Sequence, residues 1–405
     1  MAEVERALEQ GVTTKSAGRI PSIAVLAFAH LMLSMALLAG LGSHPAEAQS
    51  TWPFWDQYAK HFLSPQARVI DPGRNDMTTS EGQSYALFFS LVANDRSSFQ
   101  NILAWTDNNL ARGDVSKNLP AWSWGRNRDG SWGVLDPNSA SDSDLWIAYS
   151  LIEAGTLWGE PNYIRKGKEL LSLIAQTEVA NVPHAGPVMI PGKTGFHRDS
   201  DEWVLNPSYL PLPLLFAANH YVPQGPWKQM ALNLPRWLAQ AHPVGFAMDW
   251  VRCDAKGCSP TVWPENSSGP ARGSYDAIRV YLWAGMTAKE TPGAAQVLEM
   301  FSPMLRFVKA HSIPPESVTA NGTILSASGP ASFSAALIPF ALSSGEPGVA
   351  GRLQQNVVAA ISKTTGLLGN PPGYYEQNLA LFALGWQQHR FWFAPDGTLR
   401  VQWKK

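Results

Sequence analysis

The strongest constraint on the fold is a pattern that occurs three times: a polar loop carrying carboxylates runs straight into an apolar helix. In residues 138–158, NSASDSDLWIAYSLIEAGTLW, the loop brings Asp142 and Asp144, and Ile147, Ala148, Leu151, Ile152, Ala154 and Leu157 then recur at helical spacing. Such a helix buries a broad face and holds its own start in a fixed place. In residues 77–92, Glu81 stands at a similar junction ahead of Tyr85, Leu87, Phe88, Leu91 and Val92. Thr78 and Glu81 fit a capping box, while Ser80 with Gln83 offers a second box that would leave Glu81 free. In residues 273–285, Ser274 can cap a helix that Asp276 opens and that Ile278, Tyr281 and Leu282 line. Taken singly, each acid has a structural explanation, because short polar side chains cap helices and acids gain from the N-terminal dipole. Taken together, the three junctions predict helix starts that meet at one end of a helical barrel, with their carboxylates converging on one cleft.

The remaining helical stretches fit that expectation. Twelve are read at 52–62, 80–92, 97–109, 144–155, 163–178, 207–219, 227–241, 276–285, 295–310, 331–342, 350–364 and 375–387, separated by Pro- and Gly-rich loops. One short strand pair is expected at the end, where RFWF and LRVQW flank Ala394-Pro395-Asp396-Gly397. The fold class is therefore all-α, and pairing the helices as successive hairpins gives six inner and six outer helices. No linker interrupts them, so one domain is expected over residues 49–405.

The first segment reads as an export signal. Lys15 and Arg19 close a polar leader, residues 20–41 are almost wholly apolar, and Ala46-Glu47-Ala48 gives an A-x-A cleavage pattern ahead of Gln49. An uncleaved membrane anchor is the alternative, since the apolar run is about long enough to span a bilayer. With residues 1–48 removed, the protein is expected in the periplasm or secreted, without stable membrane association.

Net charge is −1, and no basic block occurs, which argues against nucleic acid as a partner. The chain holds 17 Trp, 10 Tyr and 16 Phe, and several of these lie in polar loops, notably Trp122, Trp124 and Trp132 in AWSWGRNRDGSWG. Rings flanked by hydrogen-bonding groups suit sugars, whose C–H faces stack while their hydroxyls take polar partners. Cys253 and Cys258, the only two cysteines, enclose CDAKGC and in an exported protein read as a local disulfide. The nine histidines have no H-x-x-x-H ligand spacing, so neither metal nor organic cofactor is expected.

At this point a family resemblance enters. Residues 140–158, ASDSDLWIAYSLIEAGTLW, closely resemble the signature of glycoside hydrolase family 8. So, in order, do WPFWDQY, RVIDP, TTSEGQSYALFF, NPSYLP and SYDAIRVYLW, with ASFSAA where the family has GFSAA and GWQQHRF where it has GWDQHRF. Ser143 replaces the usual Ala or Gly of the signature, and the loop from Cys253 to Arg272 departs from the family and could alter one end of the cleft.

The resemblance implies an (α/α)6 barrel with a long open groove and hydrolysis of β-1,4-glycosidic bonds with inversion. Inversion needs a protonated carboxyl and a carboxylate about 6.5–9.5 Å apart, so that water fits between. Matched motif to motif, Glu81 is the general acid, Asp276 the general base, and Asp142 the group that holds the sugar and stabilises the oxocarbenium-like transition state. A second carry-over makes Asp142 the base or nucleophile, and a covalent nucleophile would require retention. Tyr209 matches a tyrosine near the attacking water. Asp144, Trp122, Trp124, Trp132 and Arg279 complete the candidate substrate-binding set, with a structural ion pair as the alternative for Arg279. A helix start lowers a carboxyl pKa whereas a general acid must stay protonated, so the charge of Asp142 is expected to raise Glu81.

The expected partner is a β-1,4-glucan (cellulose) chain, with proximity to a cellulose synthase complex and a monomeric state. The alternatives are a glucan-binding assembly factor without catalysis, and a hydrolase of chitosan, xylan or mixed-linkage glucan. Three acids together argue against pure binding.

Overall fold

The computed structural model describes residues 52–198 and 201–404, so the expected leader lies outside the described residues. Among the described residues, no helix is long and apolar enough to cross a membrane.

The helices divide by how their apolar residues are distributed. One set alternates polar and apolar faces and packs by one side: α1 (Pro53–Phe62), α3 (Arg96–Asn109), α5 (Pro161–Thr177), α7 (Trp227–Ala241), α9 (Ala294–Met300), α10 (Pro303–His311) and α12 (Pro347–Ala360). The other set is apolar nearly all round, which a helix tolerates only when it is enclosed. It comprises α2 (Ser80–Val92), α4 (Ser141–Trp158), α6 (Leu212–Tyr221), α8 (Ala277–Met286), α11 (Ala331–Ser343) and α13 (Tyr374–Gln387). Every residue of α8 is buried, and in α2 all but Glu81 are.

Packing orders the enclosed set into a ring: α2 lies on α4, α4 on α6, α6 on α8, α8 on α11 and α11 on α13. Phe88 and Phe89 of α2 close it against Phe382 of α13, with centroids 5.4 and 4.6 Å apart. Phe382 also meets Tyr85, Trp146 and Trp283, each about 5 Å away, so one aromatic cluster fills the axis. The α8–α11 crossing is tight enough to need a glycine: a Cβ on Gly285 would stand 2.2 Å from the Phe340 nitrogen.

Each inner helix carries an outer partner: α3 on α2, α5 on α4, α7 on α6, α9 on α8 and α12 on α11, with α1 on α13 and α10 on α12. The twelve expected helices are thus thirteen among the described residues. The stretch read as 295–310 breaks into α9 and α10, because Pro303 cannot continue the preceding helix. The result is the (α/α)6 barrel, with six outer positions of which one is split.

The loops hold more strand than the single pair expected. Antiparallel order is β1–β2–β3 (Thr78–Thr79, Ser123–Arg126, Trp132–Asp136), β4–β5 (Val179–Val182, Gly186–Met189) and β6–β7–β8–β9 (His197–Arg198, Glu202–Leu205, Val251–Asp254, Gly257–Pro260). It continues with β10–β11–β12 (Arg272–Gly273, Ser317–Thr319, Ile324–Ser326) and the expected closing pair, β13–β14 (Phe391–Phe393, Leu399–Val401). β1 registers Thr78 on Trp124 and leads straight into α2, so the first sheet is fixed to the start of an inner helix. β8 and β9 register Cys253 on Cys258, and the two are joined by a disulfide.

Candidate active site

Neither expected capping box forms at α2. Thr79 caps it, its Oγ1 accepting from Gly82 N at 3.1 Å. Thr78 instead donates to the Val69 carbonyl, and Gln83 turns inward to accept from Val69 N and to donate to Thr106 Oγ1. With the cap filled by its neighbour, Glu81 has no helix end to satisfy.

Arg279, one turn into α8, is the hub of the site, with a side chain only 4% exposed. Its Nη1 lies 3.4 Å from Glu81 Oε2, and its Nη2 lies 2.8 Å from Asp276 Oδ1. Nη2 also donates to Ser208 Oγ at 2.9 Å, and Nη1 donates to the Tyr375 hydroxyl at 3.3 Å. Tyr374 donates to Glu81 Oε1 at 3.4 Å, and the Tyr375 hydroxyl donates to the Tyr275 carbonyl. Inner helices α2, α8 and α13 and the turn before α6 therefore meet through one guanidinium.

Asp142 stands in the first turn of α4, accepting from Ser143 N at 2.8 Å. Burial raises it to about 7, reinforced by the charge of Glu81 and opposed by Arg279. Burial also raises Glu81; Arg279 opposes this, and Asp276 is the carboxylate that reinforces it most. The repulsion between Asp142 and Glu81 acts on both, and Asp276 adds a second carboxylate that the sequence did not single out for this role. Burial raises the Tyr209 hydroxyl, with Asp142 and then Asp276 adding to it, so this ring lies among the same acids.

Asp144 was expected in the groove beside Asp142. The structure puts it inside instead: it is fully buried, and its nearest acidic neighbour is Glu178 at the end of α5. One residue separates the two aspartates, and on a helix that turns one side chain well away from the other. Glu178 accepts from Ser139 Oγ at 2.6 Å, and burial pushes it up to about 8.

The three loop tryptophans also part. Trp122 ties the α2 start to the α4 loop, its carbonyl accepting from Ser80 N and its N–H donating to the Asn138 carbonyl. Trp124 and Trp132 stack on each other at 5.2 Å under the Arg68 guanidinium, and Trp105 meets the edge of Trp124. Trp124 is thus largely occupied by protein, whereas Trp132 stays 46% exposed.

Sequence reasoning missed Tyr374, Tyr375, Ser208 and Asp249. It also missed an aromatic strip leading from Tyr209 to Trp250, Phe196 and Trp263, with centroids 5.7–6.4 Å apart. The available signal was the YY pair following the Gly-Asn-Pro-Pro-Gly turn; Asp249 gave none.

Fold and site together define a glycoside hydrolase built on an (α/α)6 barrel. The chain matches the family described as "Glycosyl hydrolases family 8" over residues 29–389, and it belongs to that family. It is 43% identical over 378 residues to an endoglucanase of Escherichia coli O157:H7, covering 92% of this chain and 96% of that protein. It is likewise 43% identical over 357 residues to an endoglucanase of Xanthomonas axonopodis pv. citri (strain 306), covering 87% and 90%. Among solved structures it is similar to the endo-1,4-D-glucanase from Vibrio fischeri ES114, with TM-score 0.78 and 38% identity over 87% of this chain and 100% of that one.

Proposed function

We propose that this enzyme is an inverting endo-1,4-β-glucanase that cleaves internal bonds of a cellulose chain, with Glu81 as general acid and Asp276 as general base. The observation that carries this reading is the single guanidinium of Arg279 standing between the two carboxylates, 3.4 Å from one and 2.8 Å from the other. Both carboxylates therefore face one cleft, and an inverting pair there works across roughly 6.5–9.5 Å, which leaves room for water. Glu81, raised by burial and by Asp276, is the member suited to hold a proton. Asp276, partly exposed and bonded to Arg279, is the member placed to take a proton from water. Asp142 holds the sugar at the cleavage point, and Tyr209 orients the water. Trp122 and the Tyr209–Trp250–Trp263 strip offer stacking faces.

The names of the relatives favour β-1,4-glucan over other glycans. The apolar leader with its A-x-A pattern and the Cys253–Cys258 disulfide favour an exported, periplasmic enzyme in which residues 49–405 act alone as one domain. Trimming of glucan beside a cellulose synthase complex fits that location.

The test is proton NMR of cellopentaose cleavage by residues 49–405. Initial release of α-anomer, lost in Glu81→Gln, is expected. Initial β-anomer would replace inversion by retention, and binding without cleavage would favour the assembly-factor reading.

A further inference from the structure

The start of α8 is capped from a distance. Asp276 occupies the N-cap position, yet its side chain makes no cap bond; it is directed at Arg279. Ser274, the other local candidate, does not cap either: its hydroxyl donates to Asp249 Oδ2 at 3.0 Å. The work falls to Asp249, which precedes β8 and lies more than twenty residues upstream. Its Oδ1 accepts from Ser274 N at 2.7 Å and from Ala277 N at 2.8 Å, and its own N–H donates to the Arg272 carbonyl at 2.9 Å. Four hydrogen bonds from one residue therefore span the turn 272–277 that contains Asp276.

That loop is itself fixed to α8. Ala247 N donates to the Tyr281 hydroxyl at 2.9 Å. A Cβ on Gly273 would stand 1.8 Å from the Ala247 carbonyl oxygen, so the two segments touch backbone to backbone. Asp249 is half-buried; desolvation raises its carboxyl, and Asp276 is near enough that its charge raises it further.

We propose that Asp249 is the positioning residue for the general base: by bonding Ser274 N, Ser274 Oγ and Ala277 N from outside, it fixes the turn at the start of α8 and so sets the direction of the Asp276 carboxylate toward Arg279 and the attacking water. A helix start normally recruits a local side chain to its free N–H groups. Here the Ile278 and Arg279 N–H groups are met by the Ser274 and Asp276 carbonyls, and Asp249 supplies the acceptor for Ala277 N. The inference rests on Asp276 being the base, as proposed above.

The test compares Asp249→Ala, Asp249→Asn and Asp276→Ala on cellopentaose, reading kcat and KM separately. Asp249→Ala leaves Ser274 N and Ala277 N without partners, and a misplaced base of this kind is expected to lower kcat by roughly 10²-fold with KM little changed. Asp249→Asn keeps the accepting oxygen and can donate to Ser274 Oγ, so it is expected to restore kcat to within a few-fold. If Asp249→Ala does not fold, Asp249→Glu, which shifts the acceptor by one methylene, is expected to lose kcat where Asp249→Asn does not. The proposal is overturned if Asp249→Ala keeps wild-type kcat, if Asn is as poor as Ala, or if KM alone changes. Asp276→Ala separates the two claims: should it remain active, Asp276 is not the base, whatever the Asp249 variants do.

Discussion

One guanidinium cannot neutralise four carboxylates. Glu81, Asp142 and Asp276 crowd Arg279, Asp249 lies beside Asp276, and burial with mutual repulsion lifts Glu81, Asp142 and Asp249, the latter two to about 7 and about 6. The consequence for stability follows from linkage. Asp142 rises from 3.8 unfolded to about 7 folded, so between those values the folded chain binds the extra proton. This stabilisation is fully present below the unfolded value and is lost as pH climbs through the folded one. Asp142→Asn, neutral at every pH, is therefore expected to melt a few °C higher than the parent near pH 8, with the gap closing near pH 4. Equal melting temperatures across that range would mean that Asp142 is not strained by its charge. Glu81, Asp142 and Asp276 were legible in the sequence because each sits where polar loop meets apolar helix, a pattern local to a dozen residues. Asp249 and the Tyr374–Tyr375 pair were not, because what they do depends on partners tens or hundreds of residues away.

Among the elements, the inner helices were the most legible and the loops the least. The reading of 80–92 matches α2 to the residue, since an all-apolar helix bounded by a polar loop has unambiguous ends. The helix expected from 207 begins at Leu212 instead, because Pro207 and Pro211 divert the chain through a short 3-10 turn at Pro207–Tyr209. That turn is what presents Ser208 to Arg279 and holds Tyr209 among the acids. Strands of two to five residues carry too little alternation to be read, so four of the five sheets among the described residues went unseen. The β8–β9 hairpin gives this scale its prediction. Its disulfide closes a loop of only a few residues, and short loops remove little entropy from the unfolded chain, about 2 kcal/mol. Replacing Cys253 and Cys258 together by Ser is expected to lower the melting temperature by a few °C and leave the barrel folded. Loss of cooperative unfolding in that variant would show that the hairpin holds far more of the molecule than its size indicates.

Across the whole molecule, the barrel turns sequence distance into proximity. Six inner helices run parallel to one another, each entered from the same end, so acids at positions 81, 142 and 276 gather at one rim while the Phe382 cluster seals the axis beneath them. The ring was legible as a count of helices; its closure was not, since it depends on Phe88 and Phe89 meeting Phe382 almost three hundred residues later. The division of labour at that rim, one acid and one base across a guanidinium, is the central claim. Its most direct test uses an aryl β-cellotrioside whose dinitrophenolate leaves without a proton. On cellopentaose, Glu81→Gln and Asp276→Asn are both expected to lose roughly 10²–10⁴-fold in kcat. On the aryl substrate, Glu81→Gln is expected to recover most of its rate while Asp276→Asn stays impaired, because water still needs its base. Recovery by Asp276→Asn, or an equal response of the two variants, would contradict the assignment.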